Sequence, residues 1–133
     1  MTKTVIVYNF KQICDAMKAA SKTKKKICIS SPHSAASYMG PIFFKELIKT
    51  AEKLFPKVNY FEILNCSNDV GLALKAIQCN IKNIEIECNE NISKKLKNIC
   101  KKKGIGVNNS DKKKLDLKNI TNVYEECLKW LNN

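Results

Sequence analysis

The residues best able to do chemistry fall in two short stretches. The first, Ser30 to Tyr38, holds the only histidine, His33, serines at 30, 31, 34 and 37, and Tyr38. The second, Asn65 to Asp69, holds Cys66 flanked by Asn65 and Ser67, then Asn68 and Asp69. A thiol just past a strand and just before a helix meets the positive end of the helix dipole, which lowers its pKa. His33 could then act as its base, with Asp69 orienting the imidazole. Cys66, His33 and Asp69 are therefore the candidate catalytic residues. The alternative is that Cys66 is a small buried residue and His33 a solvated loop residue.

The same stretches could instead hold a ligand. Small residues allow a ligand close to backbone N–H groups at a helix start, an arrangement that suits anions. Ser30, Ser31, Ser34, Ser37, Tyr38, Asn65, Ser67 and Asn68 are the candidate binding residues. The competing reading makes these serines and asparagines loop and cap residues. No sharper signature decides between them. The chain has no G-x-G-x-x-G, no G-x-x-x-x-G-K-[ST] and no G-x-S-x-G. A phosphatase loop would need an arginine about six residues after Cys66, where Leu72 stands.

The seven cysteines, at 14, 28, 66, 79, 88, 100 and 127, never come within a C-x-x-C spacing and mostly sit in apolar patterns. They read as small hydrophobes kept reduced, not as a disulfide framework or a zinc site. No metal or cofactor is expected. No apolar run approaches the roughly 20 residues that cross a bilayer, and the start of the chain does not resemble a signal peptide. The expectation is a cytoplasmic protein with no membrane partner.

The formal charge of +12 invites a nucleic-acid reading, but all 24 basic residues are lysine. Arginine, the residue suited to bidentate phosphate and guanine contacts, is missing. Abundant lysine, asparagine and isoleucine without arginine look like the imprint of an AT-rich genome. The runs at 24–26, 101–103 and 112–114 fall in turns and helix ends without interleaved aromatics. Nucleic-acid binding through lysines is thus a disfavoured alternative.

The elements that must position these residues alternate. Val5–Tyr8, Ile27–Ile29, Tyr60–Leu64 and Ile84–Cys88 read as strands, with Ile105–Val107 as a weak fifth. Ile84–Cys88 alternates apolar and polar, which predicts a strand with a wet face or an edge position. Helical spacing recurs in each gap: Ile13 to Ala20, Phe44 to Phe55 after Pro41, Val70 to Ile77, and Ile92 to Cys100 before Gly104. Residues 108–119 read as a long, mobile loop, followed by a helix from Ile120 to Leu131. Two-residue hairpin turns are absent, so the strands are parallel with crossover helices. The prediction is a single α/β domain, a three-layer sandwich on a mostly parallel sheet of 4–5 strands, Rossmann- or flavodoxin-like. In such sheets ligands bind beyond the carboxyl ends of the strands, where the two stretches named first would lie.

Two pieces of the chain resemble a small alphaproteobacterial family with no established activity. One is S-x-x-x-A-A-x-Y-x-G-P-x-x-F, carried by Ser31, Ala35, Ala36, Tyr38, Gly40, Pro41 and Phe44. The other is N-C-x-x-x-x-G-L-A-L-x-A-I, from Asn65 to Ile77. The resemblance implies an α/β fold and no particular chemistry. Its members tend to carry glycine near the position of His33, which implies no catalytic part for that residue.

The leading expectation is a binding or interaction module that self-associates as a homo-oligomer, through Trp130 and the Ile84–Cys88 strand. The alternative is a small-ligand binder, for an anion or nucleotide, or an enzyme, using the loops after the second and third strands.

Overall fold

The computed structural model describes residues 2–33, 40–108 and 113–133. Their elements run β1 (Lys3–Ile6), α1 (Phe10–Thr23), β2 (Ile27–Ser30), α2 (Pro41–Leu54), β3 (Tyr60–Ser67), α3 (Val70–Gln78), β4 (Asn83–Ile86), α4 (Glu90–Lys103), β5 (Gly106–Asn108), β6 (Lys114–Asp116) and α5 (Val123–Asn132). The sheet has six strands, one more than expected at most, in the order β5-β4-β3-β2-β1-β6. The α/β class with a parallel, Rossmann- or flavodoxin-like sheet is as predicted. The chain gathers into two compact units, interleaved along the sequence.

The first unit takes Met1–Ser30, Glu46–Glu62 and Lys113–Asn133. In it β1 pairs in parallel with β2 on one side, Val5 opposite Ile29, and with β6 on the other, Val5 opposite Leu115. α1 starts where Asn9 Oδ1 accepts from Gln12 N at 2.9 Å, the cap expected of that asparagine. It ends where Lys24 turns into the left-handed region, at φ 58°. Ile13, Ala16, Met17 and Ala20 form its buried stripe, and α5 packs on α1 and β1 through Val123, Cys127 and Leu131.

β6 corrects the expectation of a loop over 108–119. Only three residues long and flanked by lysine, it gains strand form by pairing with β1, and Leu117 N donates to Ile6 O at 3.1 Å. The part of that stretch from 109 to 112 lies outside the described residues. The last helix begins at Val123 rather than Ile120, which closes a turn by donating to Leu117 O.

The second unit takes Ser31–Lys45 and Ile63–Lys112. β4 lies between β3 and β5 and is parallel to both, Leu64 opposite Ile84 and Ile84 opposite Val107. Leu64, Ala73, Ile77, Ile84, Leu96 and Cys100 are buried here. Asp69 caps α3 by accepting from Leu72 N at 3.0 Å. Gly104 closes α4 in the left-handed conformation (φ 71°) that spares glycine a Cβ clash.

β4 also overturns the expectation of a wet face or an edge position. Its alternating residue, Glu85, is 2% exposed and takes a hydrogen bond from Asn65, and β3 and β5 on either side leave β4 no edge.

Candidate functional site

At the carboxyl end of β3 and β4, in the second unit, a group of polar side chains is buried together. Asn65 and Glu85 face each other across the strand pair, and Asn65 Nδ2 donates to Glu85 Oε2 at 3.0 Å. Asn65 Oδ1 accepts from Ser67 N and Ser67 Oγ at 3.0 and 3.1 Å. Asn65 N donates to Ser31 Oγ at 2.7 Å. Ser67 is held in the left-handed region, φ 50°, where the ladder to β4 shifts register. The short side-chain loop from Asn65 to the amide two residues on supports that conformation.

Ser31, Asn65 and Ser67, three of the sequence-predicted binding residues, are thus placed in one cluster. The sequence reading missed Glu85, taken for a solvent-facing residue. Among the described residues no buried side-chain nitrogen or oxygen lacks a partner, so the cluster is a satisfied network. Its hydrogen bonds tie the end of β3 to Ser31 and to β4.

The other predicted residues fall around it or elsewhere. Ser30, in the first unit, is fully buried on β2, and its carbonyl accepts from Val7 N. Asn68 is exposed. Ser34, Ser37 and Tyr38 lie outside the described residues. The His33 imidazole is 65% exposed and sits 3.9 Å from Glu87 Oε2.

Cys66 does not suit the part of nucleophile. The residue is 1% exposed, and burial, reinforced by Asp69 and neighbouring thiols, pushes its pKa up to about 12. The thiol stays protonated at neutral pH, and its hydrogen points to Leu64 O at 3.7 Å. The helix dipole that would favour a thiolate is outweighed by loss of solvent. Asp69 is engaged as the cap of α3. No group of three His, Cys, Asp or Glu among the described residues could hold a metal.

In the first unit, the two places where β1 and β6 end are bridged by one side chain. Gln12 Oε1 accepts from Tyr8 N at 2.7 Å, and Gln12 Nε2 donates to Leu117 O at 2.9 Å. Gln12 is 8% exposed. The strand order reverses at β1, where a doubly wound sheet opens a crevice, and the glutamine fills it.

An open concavity among the described residues lies at the opposite, amino-terminal end of the strands in the same unit. A groove of about 360 Å³ is lined by Ala20, Ser21, Lys24, Lys25, Lys26, Lys57, Val58 and Asn59. Half of these residues are lysines and none is acidic. Their convergence follows from topology. Lys24–Lys26 lead into β2 and Lys57–Asn59 lead into β3, and Ile27 N donates to Asn59 O at 3.1 Å. Adjacent parallel strands bring their lead-in segments side by side. The groove also meets the carboxyl end of α1, whose partial negative charge accounts for some of the lysine there. Ala20 O, however, already accepts from Lys24 N and Lys25 N, so the backbone leaves that carbonyl no need of a lysine head group.

The sequence reading named the run 24–26 as a turn and did not connect it with Lys57. The signal was present in a different form: each cluster stands immediately before a strand. The two surfaces expected to self-associate are engaged within the chain. Trp130 is half-buried, donating from Nε1 to Thr4 O at 3.2 Å with Lys3 Nζ 5.3 Å from its ring centre, and β4 is an interior strand.

No family model matches the chain, and no curated protein matches it.

Proposed function

We propose that this chain is a binding module that takes a small anion in the lysine-lined groove of its first unit. The convergence of Lys24, Lys25, Lys26 and Lys57 on one concave site without an acidic residue supports the reading. Exposed ion pairs contribute up to about 1 kcal/mol each. Four such contacts correspond to a Kd of roughly 1 mM for a bare anion, and the chain's net charge of +12 favours approach of any anion. The volume falls in the lower part of the range of small-molecule sites, roughly 300–1,000 Å³.

The experiment is calorimetric titration with inorganic phosphate at low and high salt, on the wild type and on a Lys24→Gln/Lys57→Gln variant. Binding that weakens with salt and at least tenfold in the variant supports the reading. Equal affinity in both proteins would remove it.

Self-association has one observation of its own. Ile42 and Phe43, on the first turn of α2, are 60% and 56% exposed. Sedimentation over a hundredfold concentration range, with Phe43→Lys as the comparison, tests it. A wild type that stays monomeric throughout would dismiss it.

A further inference from the structure

Phe61 adjoins the groove on β3. It lies near the start of β3, two residues past Asn59, which lines the groove. Its ring is not fully buried, and Lys26, another lining residue, rests over it with Nζ 5.2 Å from the ring centre. A cation stacked on an aromatic face marks that face as accessible to a flat, polarisable group. Lys26 is long, exposed and held by no ion pair among the described residues, so it can yield the ring to another occupant.

We propose that the anion is a nucleoside phosphate, its phosphate held by Lys24, Lys25 and Lys57 and its base stacked on Phe61 in place of Lys26. Ser21 and Asn59 supply the uncharged hydrogen-bonding groups that a ribose needs, and Ala20 and Val58 an apolar floor. A single ring beside a groove of this size fits one nucleotide. A nucleic-acid strand would call for a row of such platforms along an extended track. The inference rests on the anion-binding reading above and adds to it the identity of the non-anionic part.

Three probes separate the two: inorganic phosphate, ribose 5-phosphate and a purine nucleoside monophosphate, each titrated into the full chain. Stacking on one aromatic ring predicts that the nucleotide binds about tenfold more tightly than ribose 5-phosphate. Phe61→Leu, which keeps apolar bulk at the position, is expected to abolish that difference and leave phosphate binding unchanged. Equal affinity of the wild type for the nucleotide and ribose 5-phosphate would overturn the nucleotide assignment while leaving the anion site standing. Failure of all three to bind would remove both. An oligonucleotide that binds more tightly per nucleotide than the monomer would overturn the assignment in favour of a nucleic acid.

Discussion

Replacing Asn65 with alanine removes three side-chain hydrogen bonds at once and leaves their partners buried. Asn65 Nδ2 serves Glu85, and Asn65 Oδ1 serves both the backbone N–H and the hydroxyl of Ser67. Glu85 and Ser67 are 2% and 4% exposed, so water does not readily take over. A net hydrogen bond contributes about 1 kcal/mol, and a buried donor or acceptor left without a partner costs about 1–3 kcal/mol. Allowing for non-additivity among three bonds that share one side chain, the loss is about 3–4 kcal/mol. Urea unfolding followed by circular dichroism measures it directly, as a fall in midpoint at unchanged slope. The thermal midpoint should drop by roughly 10 °C. Ser67→Gly is the companion variant. It gives up one hydroxyl bond but relieves a non-glycine residue held at φ 50°, so its effect should stay within about 1 kcal/mol. A loss below 1 kcal/mol for Asn65→Ala would refute the reasoning, because water would then be reaching groups that the packing is said to close off.

Gln12→Leu keeps the volume of the side chain but severs both bonds between the end of β1 and Leu117. It should cost about 2–3 kcal/mol, with hydrogen exchange fastest at Leu117 and across β6 rather than in β2. Uniform exchange through the unit would count against that bridge. The Cys66 and Cys127 thiols are both pushed up to about 12, first by burial. In the unfolded chain a thiol ionises near 8.5, so the native state holds these protons more tightly. The stability they provide is whole below about pH 8 and is lost as pH rises from there toward 12. Urea unfolding at pH 8, 9 and 10 should show a steeper alkaline loss for the wild type than for a Cys66→Ala/Cys127→Ala variant. Parallel slopes would show that the thiols are not the cause.

The helices and five of the six strands were legible because their signals are local. Asn9, Asn89 and Gly104 cap or close helices where their side-chain chemistry predicts, and the buried stripe of α1 recurs at helical spacing. β6 was not legible, since Lys114, Leu115 and Asp116 become a strand only by pairing with β1, more than 100 residues earlier. Glu85 misled for a related reason. Alternation of isoleucine and glutamate signals a wet face only when the polar side chain has no buried partner, and Asn65 supplies one from the neighbouring strand. The rule of carboxyl-edge loops drew attention to Ser31, Asn65 and Ser67, which do gather, into a buried, hydrogen-bonded network. It drew attention away from Lys57, whose meeting with Lys24–Lys26 depends on which strands are neighbours.

The central claim is that an anion binds among these lysines, and site-resolved amide shifts test it most directly. Titrating inorganic phosphate into the ¹⁵N-labelled chain should move the amides of Ser21, Lys24–Lys26 and Lys57–Asn59 together, with one binding curve, and leave Asn65, Ser67 and Glu85 in place. Shifts concentrated at the carboxyl end of β3 and β4, or spread evenly over all lysine-bearing surfaces, would contradict it.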